Sequence, residues 1–306
     1  MDTKLAVYQH SGRLGGGVVA VPVAAVVSAV VLSFAYAYAD VYSPIAGYVS
    51  VILVLLFGGA TGVCISYAAR YAKCRNTRFV IGVAVLAGLL AFYTQWVVFL
   101  FAYFQRGGVD VSLTGLFVRP GAVWNLVKLV NENGWYSLRS GGNVTGTVLW
   151  VFWAIEFLII VISIPLLSTY ALTDRVFCER CEAWCTRHEN HFRLGLGDDT
   201  DLLVKINEGD LDAMEKLPTV PAGAAPALRV DLHRCDTCRD TAAMLVKLVT
   251  PTREKDGSTK EEERELTPCY LLDAEQRQRI EALADRPPVE PSETENPPVD
   301  SEPEPA

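Results

Sequence analysis

The first half of the chain is written in long apolar runs. Approximately Gly15–Ala39, Gly47–Ala68, Phe79–Phe104 and Thr147–Tyr170 contain no Lys, Arg or His. Each meets the length of a bilayer-crossing helix, about 20 largely apolar residues. A buried soluble helix of that length carries a polar stripe, and these runs carry none. They predict four transmembrane helices. Ala35-Tyr36-Ala37 and Ala37-Tyr38-Ala39 resemble signal-peptidase sites. The first run is nevertheless longer than the roughly 7–15 apolar residues of a signal peptide, so it is expected to be retained. Between the third and fourth runs, Pro120 and Gly134 bracket a short helix with Val123, Leu126, Val127 and Val130 on one face and Trp124 and Trp135 beside it. It reads either as an amphipathic helix on the outer surface or as a loop helix packed on the spans.

Beyond residue 170 the periods shorten. Asp199–Leu217 reads as helix, with Leu202, Leu203, Ile206, Leu211 and Met214 as its apolar positions. Ala227–His233 alternates as a strand. Ala243–Thr250 and Arg264–Leu272 read as strands around a polar turn at Gly257, and Ala274–Ala284 as a closing helix. Arg286–Ala306 is rich in Pro, Glu and Asp and is expected to be disordered. The predicted organisation is therefore an N-terminal segment (1–14), a four-helix all-α membrane domain (15–170), a small α+β domain (171–285) and an acidic tail (286–306).

Charge divides the chain at the same place. Residues 1–170 hold 10 Lys/Arg and 5 Asp/Glu, whereas residues 171–306 hold 17 and 30, so a front of net +5 precedes a back of net −13. Basic residues Arg70, Lys73, Arg75 and Arg78 crowd the link between spans two and three, while Asp40–Ala46 has none. By the positive-inside rule the 70–78 link, the N-terminus and the tail are cytoplasmic in a multi-pass protein of the cell (inner) membrane. The cysteines agree: Cys64 and Cys74 lie near that face, the other six lie in the tail, and neither external segment contains one. Thiols on the reducing side are expected to be free or to bind metal. Tyr36, Tyr38, Tyr103, Trp150 and Trp153 gather toward the outer boundary as an aromatic belt does. Asn143-Val-Thr145 matches a glycosylation acceptor but adjoins the fourth span.

Two features carry candidate chemistry. Cys178-Glu-Arg-Cys181 and Cys235-Asp-Thr-Cys238 are paired C-x-x-C turns that can close a four-thiolate site around structural Zn2+. The 53 residues between the pairs exceed the usual spacing of roughly 15–20. Cys185 and His188 are candidate additional ligands, and Cys269 reads as a core residue. An iron–sulfur cluster, a redox dithiol, or a catalytic zinc assisted by Cys185, His188, His191 or His233 are the alternatives. Within the membrane, Glu156 is the one acid in the four runs. It lies nine residues from the outer end of its run, as Gln95 does in the third, which puts both roughly 13 Å deep at 1.5 Å per residue. The pair reads as a hydrogen-bonded lock on the bundle or as a proton or cation site, with Tyr93 and Thr94 nearby. Gly58-Gly-Ala-Thr-Gly62 offers a small-residue face for close packing within the chain or for a homo-oligomer.

Tyr8-Gln-His-Ser-Gly-Arg13, Arg75-Asn76 and Trp153-Ala-Ile-Glu156 resemble an uncharacterised family of bacterial multi-pass membrane proteins, some with a Cys-rich cytoplasmic domain; the resemblance implies no activity. Through its four cysteines the tail separately resembles zinc ribbons, which implies contacts with proteins or nucleic acids. Net −13 disfavours nucleic acid, because attraction to phosphate is reversed. No nucleophile–base pair or phosphate-binding loop stands out. The leading expectation is thus a non-enzymatic membrane protein whose zinc-ribbon-like domain binds a cytoplasmic protein. A small transporter or ion sensor using Glu156 and Gln95 comes second, and a membrane-bound redox or zinc enzyme last.

Overall fold

The computed structural model describes residues 4–42, 48–135, 144–173, 175–196, 200–221, 223–253 and 259–289. Asn143, most of the first inter-span link, the Gly257 turn and the acidic end from residue 290 lie outside the described residues. The chain forms two compact units, His10–Asp174 on the one hand and Met1–Gln9 with Arg175–Ala306 on the other.

The first unit is helical: α1 (Gly17–Tyr42), α2 (Tyr48–Tyr71), α3 (Thr77–Arg106), α4 (Leu113–Phe117), α5 (Pro120–Asn133), α6 (Gly146–Ser168) and α7 (Tyr170–Thr173). Among the described residues four stretches are long and apolar enough to cross a membrane: Gly17–Tyr42, Ser50–Tyr71, Thr77–Arg106 and Gly146–Thr173. Their apolar side chains point outward all round, as with Val19, Leu56, Leu86 and Leu166. The first helix outruns the sequence expectation by three residues and so carries a second acid, Asp40. Polar side chains are tolerated there because their ends find partners. The Trp135 indole donates to the Asp40 carboxylate. Arg106 Nη1 donates to the Val41 carbonyl at 2.7 Å and lies over the Tyr42 ring.

The four long helices form a ring in which α1 packs on α2 and α3, and α6 packs on the same two. Close approach of α2 and α6 depends on glycine. A Cβ at Gly58 would meet Ser163 Oγ at 2.0 Å, and one at Gly62 would meet the Ile164 carbonyl oxygen at 2.7 Å. The Gly58–Gly62 face is therefore used inside the chain. On the other side Ser33 Oγ donates to the Ala91 carbonyl at 3.0 Å and ties α1 to α3.

At one end of this unit the segment before α1 lies along the 72–76 link. Gly16 N donates to Ala72 O, Arg75 N to Arg13 O and Asn76 Nδ2 to Gly12 O. His10 Nε2 is 3.3 Å from the Leu172 carbonyl. The basic residues of that link and both chain ends of the unit therefore share one end of the bundle. At the other end α5 presents Val123, Val127 and Val130 to α3 and α6, so its apolar face packs on the bundle, leaving Trp124 half exposed.

The second unit is built on an antiparallel sheet. Its strands are β1 (Ala6–Val7), β4 (Thr186–Gly195), β5 (Thr219–Val220), β6 (Ala227–Arg234), β7 (Ala242–Arg253), β8 (Thr259–Glu265) and β9 (Tyr270–Leu272), with a separate hairpin of β2 (Phe177–Cys178) and β3 (Ala183–Trp184). The order is β1-β9-β7-β6-β4-β5, with β8 pairing the far half of β7. One face carries Leu194, Leu228, Val230, Leu232, Met244 and Val246. It is covered by α8 (Thr200–Asn207), α9 (Leu211–Glu215) and α10 (Ala274–Ala284) through Ile206, Leu211, Met214, Ile280 and Leu283. Asp231, fully buried, is bonded by Arg187, Arg229 and the Asn190 N–H. Burial opposes its ionisation, but these donors prevail and hold the carboxyl below its ordinary range.

Three sequence expectations change here. The single helix over 199–217 is two, broken at Gly209, whose φ of +82° only glycine adopts freely. Its carbonyl accepts from Leu5 N at 3.0 Å. The single strand over 264–272 is likewise two: Pro268 has no N–H to give a ladder, and Thr267 Oγ1 instead accepts from Val246 N. Finally, the N-terminal segment (1–14) is not set apart throughout: Ala6 and Val7 pair with Leu271 and Tyr270 and complete this sheet.

The glycine contacts set a packing test. Gly62→Ala should lower the thermal stability of the detergent-solubilised chain by about 1–3 kcal/mol through overpacking against α6. Gly82→Ala, where an added Cβ meets nothing within 4 Å, should leave it unchanged or slightly raised.

Candidate metal centre

The sheet brings the two cysteine pairs to one end. The β2–β3 hairpin encloses the first C-x-x-C turn and delivers Cys185 to the start of β4; the second turn joins β6 directly to β7. Each turn closes with a residue in the left-handed region, Glu182 at φ +46° and Arg239 at φ +57°. That conformation is uncommon for residues with a Cβ. In the second turn it lets Asp240 N point at Cys238 Sγ at 3.4 Å, while Arg239 N donates to Cys235 O. Cys235 N in turn donates to Thr241 O, closing the loop on β7.

The result is a cage of four sulfurs. The Sγ atoms of Cys178, Cys181, Cys235 and Cys238 all lie within 4.8 Å of one another, and Cys178 Sγ is 3.7 Å from Cys238 Sγ. A sulfur–metal distance of about 2.3 Å in a tetrahedron gives sulfur–sulfur edges of about 3.8 Å. The spacing therefore suits one ion at the centre; a disulfide would need about 2.05 Å. Thr241 Oγ1 donates to Cys178 Sγ at 3.2 Å. The backbone N–H groups of Asp240 and Thr241 draw the Cys238 thiol down to about 6. Cys181, donating to Cys238, is pushed up to about 12. One thiolate is thus already favoured, as a metal ligand must be.

The further candidates fall elsewhere. Cys185 is buried beside the cage with Val176 and Ala243 but is outside the four-sulfur group. Burial, then the nearby Cys235 and Cys178 sulfurs, push its thiol up to about 12. His188 is exposed on β4 and is likewise outside it. Cys269 lies just before β9 and gives its carbonyl to Tyr8 N. Tyr8 is the residue that sequence reasoning missed. Its hydroxyl accepts from Phe177 N at 3.0 Å, next to Cys178, and its ring packs among the cysteine-side core. Nothing local announces it, since its partners come more than 160 residues later. Thr241, by contrast, sits three residues after Cys238 and was readable as part of the turn.

The helical unit holds the other candidate. Glu156 Oε1 accepts from Tyr36 Oη at 2.8 Å, so its partner is on α1 and not Gln95 on α3. The two residues nevertheless lie near one level along the bundle. Phe92 meets Phe157 and Trp96 meets Trp153 edge to face, at 4.9 and 4.8 Å between ring centroids, which puts Gln95 within two residues of level with Glu156. Depth, however, does not fix which way round a helix a side chain points. Gln95 is buried and its Nε2 makes no hydrogen bond among the described residues; the same is true of Thr94 Oγ1. Asp40, one turn beyond Tyr36, lies within electrostatic reach of Glu156. Tyr36 also stacks on Phe57 at 5.0 Å, so one ring touches α2 while its hydroxyl reaches across the ring of helices to α6.

No family model, curated protein or solved structure matches the chain.

The Tyr36–Glu156 bond predicts a graded stability series in detergent. Tyr36→Phe should cost about 1 kcal/mol, in the range of interhelical hydrogen bonds in membranes. Glu156→Gln, which keeps an acceptor, should cost less than Glu156→Leu. Equal melting temperatures across the series would contradict the lock.

Proposed function

We propose that the chain is an integral membrane protein that holds a structural zinc domain at the cytoplasmic face, where that domain binds another protein. The four-sulfur cage carries this reading. A closed set of four thiolates leaves no open position for water or substrate, which favours a structural over a catalytic ion. A single central ion also suits the cage better than a multi-iron cluster, whose iron and sulfide atoms would stand between the cysteine sulfurs. Zinc then fixes the fold by tying β2, β3, β6 and β7 at one end.

Orientation follows from charge and pairing. Arg70, Lys73, Arg75 and Arg78 favour the cytoplasm for their end of the bundle. Pairing of β1 with β9 requires residues 6–7 and 270–271 to share a compartment. A reducing compartment suits the unpaired thiols. A protein partner is favoured over nucleic acid by the tail's acidity, which is carried visibly on β8 as Glu261, Glu262, Glu263 and Glu265. The resemblance to zinc ribbons implies a macromolecular partner, protein or nucleic acid, and the acidity selects the protein. A second reading, a small transporter or ion sensor, draws on the closeness of Asp40 to Glu156 and on Gln95 Nε2, which makes no hydrogen bond among the described residues. Cation flux in proteoliposomes that disappears in Glu156→Gln would favour it, and flux absent from the unaltered protein would remove it.

Elemental analysis of the purified full-length chain should find one zinc per chain. Cys178→Ser with Cys235→Ser should lose that zinc and render residues 175–289 protease-sensitive without preventing membrane insertion. Site-specific photocrosslinking from the tail in native membranes should capture a protein that the double variant no longer captures. Iron in place of zinc, or full zinc in the double variant, would overturn the proposal.

A further inference from the structure

The membrane unit contains a cavity of about 380 Å³ between α3, α5 and α6. It falls within the usual range for ligand sites, roughly 300–1,000 Å³. Its walls are Phe92, Trp96, Trp153 and Phe157 on the long helices, with Val127 and Trp124 of α5 closing one side. From Phe157 to Trp150 it runs about 10 Å along α6, at 1.5 Å per residue. It is therefore a slot parallel to the helices, the direction in which a lipid tail lies. The hydroxyl in the lining, that of Tyr93, is already committed to the Phe117 carbonyl at 2.8 Å. The body of any occupant must then be apolar.

The rim differs from the walls. Trp124 is 51% exposed and tilts against Trp150 at 5.3 Å, while Trp153 and Trp96 below them are buried. Lys128 lies one turn along α5 with its Nζ 5.4 Å from the centre of the Trp124 ring. Glu132, a further turn along, forms no ion pair with Lys128 among the described residues, so the ammonium can meet an anion. Apolar slot below and cation above match an amphiphile with an extended chain and an anionic head.

We propose that this slot holds one acyl chain of an anionic phospholipid, with its phosphate headgroup against Lys128. The inference is independent of the metal centre and of any role for Glu156. Such a lipid fills the space under α5 and fixes that helix on the bundle.

Tryptophan fluorescence provides the test, because four of the six tryptophans, Trp96, Trp124, Trp150 and Trp153, line the slot. The full chain in detergent is titrated with phosphatidylglycerol or phosphatidylcholine brominated on one acyl chain. Quenching should saturate at about one lipid per chain. Phosphatidylglycerol should be preferred about five-fold, the change expected of one basic residue near an anionic headgroup. Lys128→Gln should remove the preference while leaving saturable quenching. Ala154→Phe, which fills the slot, should abolish saturation with an unchanged melting temperature; should that variant not fold, the headgroup comparison on the unaltered chain decides alone. Quenching that rises in proportion to lipid without saturating, or that saturates equally for both headgroups, would overturn the proposal.

Discussion

Four sulfur atoms converging on one point are the constraint on which the second unit depends. The sheet core of Leu194, Leu228, Leu232 and Val246 would hold its strands together by burial, but burial is non-directional and does not say where each strand begins. The cage does. Cys178 ends β2, Cys235 directly follows β6, and the Cys235–Thr241 loop starts β7 in register with it, so that Arg234 faces Ala242. Two non-glycine residues in the left-handed region, Glu182 and Arg239, are a local cost accepted at the same turns. The symmetry of that cost argues that the turns are shaped for a common centre rather than for the sheet.

The helical unit solves a different problem. In the proposed bilayer setting, lipid would offer its helices no hydrophobic reward for touching one another, so association rests on close packing and polar bonds. Gly58 and Gly62 supply the first between α2 and α6; Ser33 and Tyr36 supply the second, to α3 and α6. The Tyr36 bond reaches across the ring of four helices. It therefore opposes a motion that neighbouring contacts alone would allow, the sliding of α1 relative to α6. Where α5 lies over α3 and α6, packing is looser and a slot remains, with aromatic rings in place of glycine.

Features that repeat along the chain were legible in it; features made by distant segments were not. Span lengths, the α5 face and the two C-x-x-C turns are local patterns, and each appears where the residues put it. The breaks at Gly209 and Pro268 were also written locally, yet their neighbours are helix- and strand-like enough to mask them. Tyr36 could not be chosen over Gln95 as the partner of Glu156, because depth is readable from residue counts whereas helix rotation is set by packing. Tyr8 and β1 are the extreme case: two residues carry no strand period of their own, and only β9 makes them a strand.

That last pairing constrains how the protein can be made. β1 is synthesised before the four long helices and its partner β9 after all of them. Until then Leu5, whose side chain belongs to the second unit's core, has no core to enter. In the proposed membrane topology the N-terminal segment waits on the side where residues 175–289 later emerge. Strand order shows what the wait depends on: β1 rests on β9, β9 on β7, and β7 starts from the cysteine turn that completes the sulfur cage. A chain inserted with its first helix reversed could build the cage but would lack the edge strand, leaving β9 with an open edge and Gly209 without Leu5. In the proposed topology the basic residues of the 70–78 link and the pairing of β1 therefore act in the same sense, one through charge during insertion and the other through hydrogen bonds after it.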